Sequence, residues 1–151
     1  MSPDEFISWL VPAAQEAVKN YGLPASVLVA QGALESGWGK YIIGEYNLFG
    51  RKAIDGDKTI LVSTQEYSNG EWVTIEAGFK DYTSLAEACE DWCILITEEP
   101  AYAEAWNIWC ATKNIEQFVQ TLGPVYATDP QYADKVVSTI GANDLTQYDF
   151  Y

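Results

Sequence analysis

Residues 24 to 36 leave the fewest choices for the fold. Pro24 suits the first position of a helix and Gly37 suits its stop. Between them Val27, Leu28, Val29, Ala30, Ala33 and Leu34 are apolar almost all the way round. Such a helix cannot lie on a surface and must be central and buried. The rest of the chain therefore has to supply a shell around it. Phe6, Trp9, Leu10, Ala13, Ala14, Ala17, Val18 and Tyr21 follow helical spacing and predict an amphipathic first helix ended by Gly22.

Residues 58 to 79 change character. Ile60-Leu61-Val62 and Thr64-Gln65-Glu66-Tyr67 lead to Asn69-Gly70, then Trp72-Val73-Thr74-Ile75. Asn-Gly between β-branched, aromatic runs predicts a type I′ hairpin with Tyr67 opposite Trp72. Helices return afterwards. Ser84-Leu85-Ala86-Glu87 reads as a capping box, followed by Leu85, Ala88, Cys89, Trp92, Leu95 and Ile96 at helical period. Ile115, Phe118, Val119 and Leu122 give a short helix. Asp129-Pro130 opens a last one, which Gly141 is expected to stop. The expected fold class is α+β, mainly α: five or six helices with one small hairpin inserted after the second. With 151 residues and no repeat or linker, the chain reads as a single domain, 1–151, with its core at about 3–143. The tail Tyr148-Asp149-Phe150-Tyr151 is expected to fray, a contact segment being the alternative.

Composition removes several function classes. There is no histidine, which excludes Ser-His-Asp and Cys-His nucleophiles and His-based zinc sites. No metal and no cofactor is expected. The net charge is −14, from 8 basic and 22 acidic residues, so no basic stripe can form and nucleic acid is not an expected partner. No run approaches the length of a membrane span, and Met1-Ser2-Pro3-Asp4-Glu5 lacks the pattern of a signal peptide. Cys89, Cys93 and Cys110 read as small buried hydrophobes.

Glu35 is the residue that asks for an explanation. It lies in the last turn of the most apolar helix, where burial and the negative helix end both disfavour a carboxylate. A carboxyl kept protonated near neutral pH suits a general acid for glycoside cleavage. The plain alternative is a Glu that reaches solvent at a helix end. Two glycines and Trp38 follow it, so a sugar ring could approach closely and stack on the indole; core packing is the alternative for Trp38.

Residues Leu23 to Gly39, ending Ala33-Leu34-Glu35-Ser36-Gly37-Trp38-Gly39, resemble the glucosaminidase domains of glycoside hydrolase family 73, found in autolysins, flagellar-rod hydrolases and phage endolysins. Four more blocks match in order: Asn47-Leu48-Phe49-Gly50, Thr64-Gln65-Glu66-Tyr67, Phe79 to Leu85, and Tyr126 to Val136. The resemblance implies a lysozyme-like fold, a helical lobe and a β-lobe with a groove between them. It implies cleavage of the β-1,4 bond after N-acetylglucosamine in bacterial peptidoglycan. Glu35 takes the proton-donor position and Glu66 that of a second carboxylate. Tyr126 takes the position of an aromatic that supports the N-acetyl group or the water. Trp38, Asn47, Phe49, Tyr67 and Tyr132 are the expected groove residues. Arg51 and Lys80 depart from the family pattern.

The role of Glu66 stays open between general base, nucleophile and bystander to attack by the substrate's own acetamido oxygen. An inverting pair needs carboxyls about 6.5–9.5 Å apart and a retaining pair about 5–5.5 Å. A solvated hairpin face is the plain alternative for Glu66. Two competing functions are a lytic transglycosylase working through Glu35 alone and a non-catalytic glycan-binding or assembly module. The expected setting is a monomer acting at the bacterial cell wall, without membrane insertion. A phage holin or a virion or secretion apparatus is the expected delivery route, and a trimmed autolysin the runner-up.

Overall fold

The computed structural model describes residues 1–150. Six helices and one hairpin follow in the order α1 (Pro3–Lys19), α2 (Ala25–Ser36), β1 (Thr59–Ser68), β2 (Glu71–Lys80), α3 (Leu85–Glu98), α4 (Ala103–Thr112), α5 (Ile115–Tyr126) and α6 (Tyr132–Ala142). Single 3-10 turns, Pro100–Tyr102 and Leu145–Tyr148, precede α4 and follow α6.

α2 runs through the middle, as its composition requires. Ala25 through Ala33 are buried without a break. It packs against α1, α6 and the C-terminal 3-10 turn. The first helical residue is Ala25, and Pro24 stands as its N-cap with no side chain to offer. That role passes to Asp149, far along the chain. Its carboxylate accepts from the Ser26 backbone N–H at 2.7 Å and from the Ser26 hydroxyl at 2.6 Å. The Tyr148 carbonyl also accepts from Gln15 Nε2 at 3.2 Å. The tail is thus docked through residue 149, contrary to the expected fraying; Tyr151 lies outside the described residues.

Other differences are local. Gly141 does not end α6; it keeps a helical backbone, and Asn143 closes the helix by donating its side-chain amide to the Thr139 carbonyl at 2.9 Å. The capping box at Ser84 is half formed. Ser84 accepts from the Glu87 N–H, but the Glu87 carboxylate turns to the Thr83 N–H and hydroxyl. A complete box stands instead at Ser2 and Glu5, at the start of α1. α4 had no clear forecast because it buries only Ala105 and Trp109. Cys89 and Cys93 are buried and free, with burial pushing each thiol up to about 12, whereas Cys110 is exposed and is no core residue.

The hairpin forms with the expected turn. Ser68 pairs with Glu71, so Asn69 and Gly70 are the two loop residues, both at positive φ (53° and 81°) as a type I′ turn demands. Tyr67 and Trp72 meet edge to face at 5.3 Å.

Candidate active site

α2 ends at the place where Glu35 must be held. Gly37 adopts a left-handed backbone (φ 59°), and its N–H returns to the Ala33 carbonyl. Ser36 locks the turn: its hydroxyl donates to the Gly32 carbonyl at 2.7 Å and accepts from the Gly39 N–H at 3.0 Å. Glu35 therefore leaves a rigid helix end and opens into a cleft of about 550 Å³. Phe49, Gly50, Arg51, Lys52, Leu95, Tyr102, Tyr126, Ala127 and Thr128 form its other walls. Glu35 is exposed as a residue, yet its carboxyl is partly desolvated. Burial, the larger influence, holds it above the usual glutamate range, and interaction with the Tyr132 hydroxyl pulls it back.

An aromatic wall stands behind this carboxyl. Tyr126, at the end of α5, stacks on Tyr132 with centroids 5.7 Å apart and planes 5° from parallel. Tyr102 meets Tyr126 edge-on at 6.5 Å. Burial and the neighbouring Tyr132 and Glu35 raise the Tyr126 phenol well above its ordinary value, so it stays protonated and can donate. Tyr132 is held from behind: its hydroxyl accepts from Gln31 Nε2 at 3.1 Å, and Gln31 Oε1 accepts from Trp92 Nε1 at 2.8 Å. Gln31 was not singled out by the sequence reading. The signal was there, as a lone amide in an otherwise apolar helix one turn before Glu35.

The remaining candidates divide. Phe49 is buried and lines the cleft. Asn47 is fully buried and braces it from behind: its amide donates to the Arg51 and Lys80 carbonyls (2.9 and 3.0 Å), and its carbonyl accepts from the Arg51 N–H (2.9 Å). Trp38 packs edge to face on Phe6 at 5.8 Å and is not a wall of the cleft. Arg51 and Lys80, the departures from the family pattern, converge on Asp91 of α3 at 3.3 and 3.4 Å, and the Tyr82 hydroxyl donates to the same carboxylate. Burial opposes the charge on Asp91, but Tyr82, Arg51 and Lys80 outweigh it and hold the carboxyl below its usual range. A smaller cavity of about 180 Å³ lies over this cluster. Its Lys80 and Tyr82 both engage Asp91, and this cluster fixes the hairpin base against α3. Among the described residues, no group of three or more Asp, Glu, Cys or His side chains converges as a metal site needs.

Glu66 is not a wall of the Glu35 cleft. It pairs with Val73 near the hairpin tip. Side chains alternate along a strand, so Glu66 shares a face with the half-buried Ile60, Val62, Thr64, Val73, Ile75 and Ala77. Tyr67 shares the opposite face with the exposed Leu61 and Trp72. Adjacent residues of one ribbon cannot both face the same groove, so the hairpin presents either Glu66 or Tyr67 to a glycan lying along it.

Residues 11–145 match the family model described as mannosyl-glycoprotein endo-β-N-acetylglucosaminidase. The chain belongs to the glucosaminidase domains of glycoside hydrolase family 73. This domain is 36% identical to the catalytic domain of the autolysin Auto from Listeria monocytogenes. The match has a TM-score of 0.85 and covers 97% of this chain and 87% of that one. It is 40% identical to the peptidoglycan hydrolase FlgJ of Pseudomonas aeruginosa over 89% of this chain and 35% of the relative. It is 33% identical to a probable N-acetylmuramidase of Lactococcus lactis subsp. lactis over 98% of this chain and 35% of the relative. The glucosaminidase domain thus spans about a third of those two relatives. Its fold is of the lysozyme-like glycoside hydrolase type.

Proposed function

We propose that this glucosaminidase domain hydrolyses bacterial peptidoglycan, cutting the β-1,4 bond after N-acetylglucosamine with Glu35 as general acid. The observation that carries the reading is the Glu35 carboxyl, raised in pKa by burial and opening into an aromatic-walled cleft at a rigid helix end. In the reaction the protonated carboxyl gives its hydrogen to the glycosidic oxygen. The bond breaks and positive charge develops on the N-acetylglucosamine ring. Water, or first the sugar's own acetamido oxygen, then attacks that carbon, and the proton released returns to a carboxylate. Tyr126, kept protonated, is assigned to hold the acetamido group or the water. Glu66 is assigned as the second carboxylate, brought toward the cleft by hairpin bending when glycan binds. Trp38, Asn47 and Tyr132 act by bracing, Tyr132 from behind Tyr126, while Phe49 shapes the cleft.

The names of the relatives favour a second reading of the bond, because one is called a probable N-acetylmuramidase. Digestion of purified wall, borohydride reduction and mass spectrometry separate the readings. Reduced N-acetylglucosamine at the new ends supports the proposal. Reduced muramic acid ends transfer the cut to the other bond, and anhydromuramic ends indicate a transglycosylase. Glu35→Gln is expected to lower the wall-lysis rate at least about 100-fold with the fold intact. An unchanged rate would remove Glu35 from the acid role, and a wild type that binds wall without lysing it would leave a binding module. Glu66→Gln is expected to cost less if the acetamido route operates, because that route bypasses it.

A further inference from the structure

We infer that Gln31 and Trp92 are positioning residues for Glu35, because together they fix the direction in which the Tyr132 hydroxyl gives its hydrogen. The inference rests on the proposed role of Glu35, but its geometry stands independently. An indole N–H can only donate, so the group facing it at 2.8 Å must be the amide oxygen of Gln31. The amide nitrogen of Gln31 is then left to face Tyr132, and it too can only donate. The Tyr132 oxygen is thereby made the acceptor, and its hydrogen is left free for Glu35. Glu35 stands one helical turn beyond Gln31 and lines the cleft together with Tyr126, the ring stacked on Tyr132. The Glu35 carboxyl responds to that hydroxyl. Reversing any member would set donor against donor among side chains that are 0% (Gln31), 1% (Trp92) and 6% (Tyr132) exposed. The same logic explains a buried amide in the most apolar helix of the chain: its cost is offset only if both ends are satisfied.

The consequence falls on both protonation states of Glu35. After the carboxyl has given its proton to the leaving oxygen, the Tyr132 hydroxyl stabilises the carboxylate that remains. Before that, it holds the carboxyl in one orientation. The other polar and charged groups around the cleft are Tyr126 from α5, Thr128 just after it, Tyr102 from the 3-10 turn before α4, and Arg51 and Lys52 from the segment after α2. All of them persist in the variants below, so differences between variants report the relay.

The test is a titration of the Glu35 carboxyl by carbon NMR, paired with the pH profile of kcat, in wild type, Tyr132→Phe, Gln31→Met and the double variant. Loss of a hydrogen bond to a carboxylate raises its midpoint. The expected shift is upward by about half to one pH unit in each single variant and no further in the double. The alkaline limb of kcat is expected to move with it. Trp92→Phe keeps the ring but frees the amide to turn over, and is expected to shift the midpoint the same way, so it serves if Gln31→Met fails to fold. An unmoved midpoint in Gln31→Met or Trp92→Phe, or shifts that add in the double variant, would overturn the inference. A residue that merely fills the core would lower kcat or Tm and leave the midpoint where it was. Failure of the acid assignment itself shows separately, as a Glu35→Gln variant that keeps its rate.

Discussion

At Glu35 the helix end and the cleft pull against each other. Burial disfavours the charged form and the Tyr132 hydroxyl favours it, with burial the stronger. A carboxyl whose pKa is raised by folding contributes stability that is complete below its unfolded value and is lost as pH climbs through its folded value. Glu35→Gln is therefore expected to melt higher than wild type above neutral pH. The difference should vanish near pH ~3, below the usual glutamate range. Scanning calorimetry at both pH values checks this, and equal melting temperatures at high pH would show that the site stores no such strain. Glu35 was legible in the sequence as a candidate because a Glu at the end of an apolar helix is rare enough to notice, and the structure sets it on the cleft. Gln31 and Tyr102 were not legible. Gln31 is buried one turn back on α2 behind Tyr132, and Tyr102 reaches the cleft from a 3-10 turn whose position only tertiary packing sets.

At the scale of elements, pattern and turn chemistry carried most of the fold. The apolar circumference of α2 dictated its central place, and Asn69-Gly70 dictated a two-residue hairpin loop whose register then followed without freedom. Gly32 shows what pattern alone could not supply. A Cβ there would lie 2.7 Å from Leu48 Cδ1, so the glycine exists to let the segment after α2 lie against the helix. α4 escaped because two buried residues make too thin a stripe to read. Glu66 and Tyr67 were both expected in the groove, but strand alternation sends them to opposite faces. The hairpin itself pairs mainly with itself and keeps Leu61, Tyr67 and Trp72 in solvent. Its amides near the turn are expected to exchange through local opening, far faster than those of α2. Hydrogen exchange followed by mass spectrometry measures this, and equal protection of the two would rule out the hairpin bending that brings Glu66 inward.

At the scale of the molecule, the net charge of −14 sets how the domain meets its substrate. A bacterial wall rich in carboxylates and phosphates repels such a surface, and salt screens the repulsion within a Debye length of about 10 Å at 0.1 M. Wall-lysis rate is expected to rise as ionic strength is brought from about 0.01 to 0.1 M. A fall would mean that an attractive local field at Arg51 and Lys52 dominates encounter. The docked tail adds a second global property. Asp149→Ala is expected to cost about 1 kcal/mol of folding stability, the size of a lost helix cap, measurable by urea titration. Because that carboxylate sits on the far end of the rod that bears Glu35, the two extremities of the polypeptide's business helix answer to separate parts of the chain. Anyone splicing a passenger onto this domain should join it beyond Phe150, since a seam placed earlier would unbuckle the strap at one end of the rod while leaving the cleft at the other untouched.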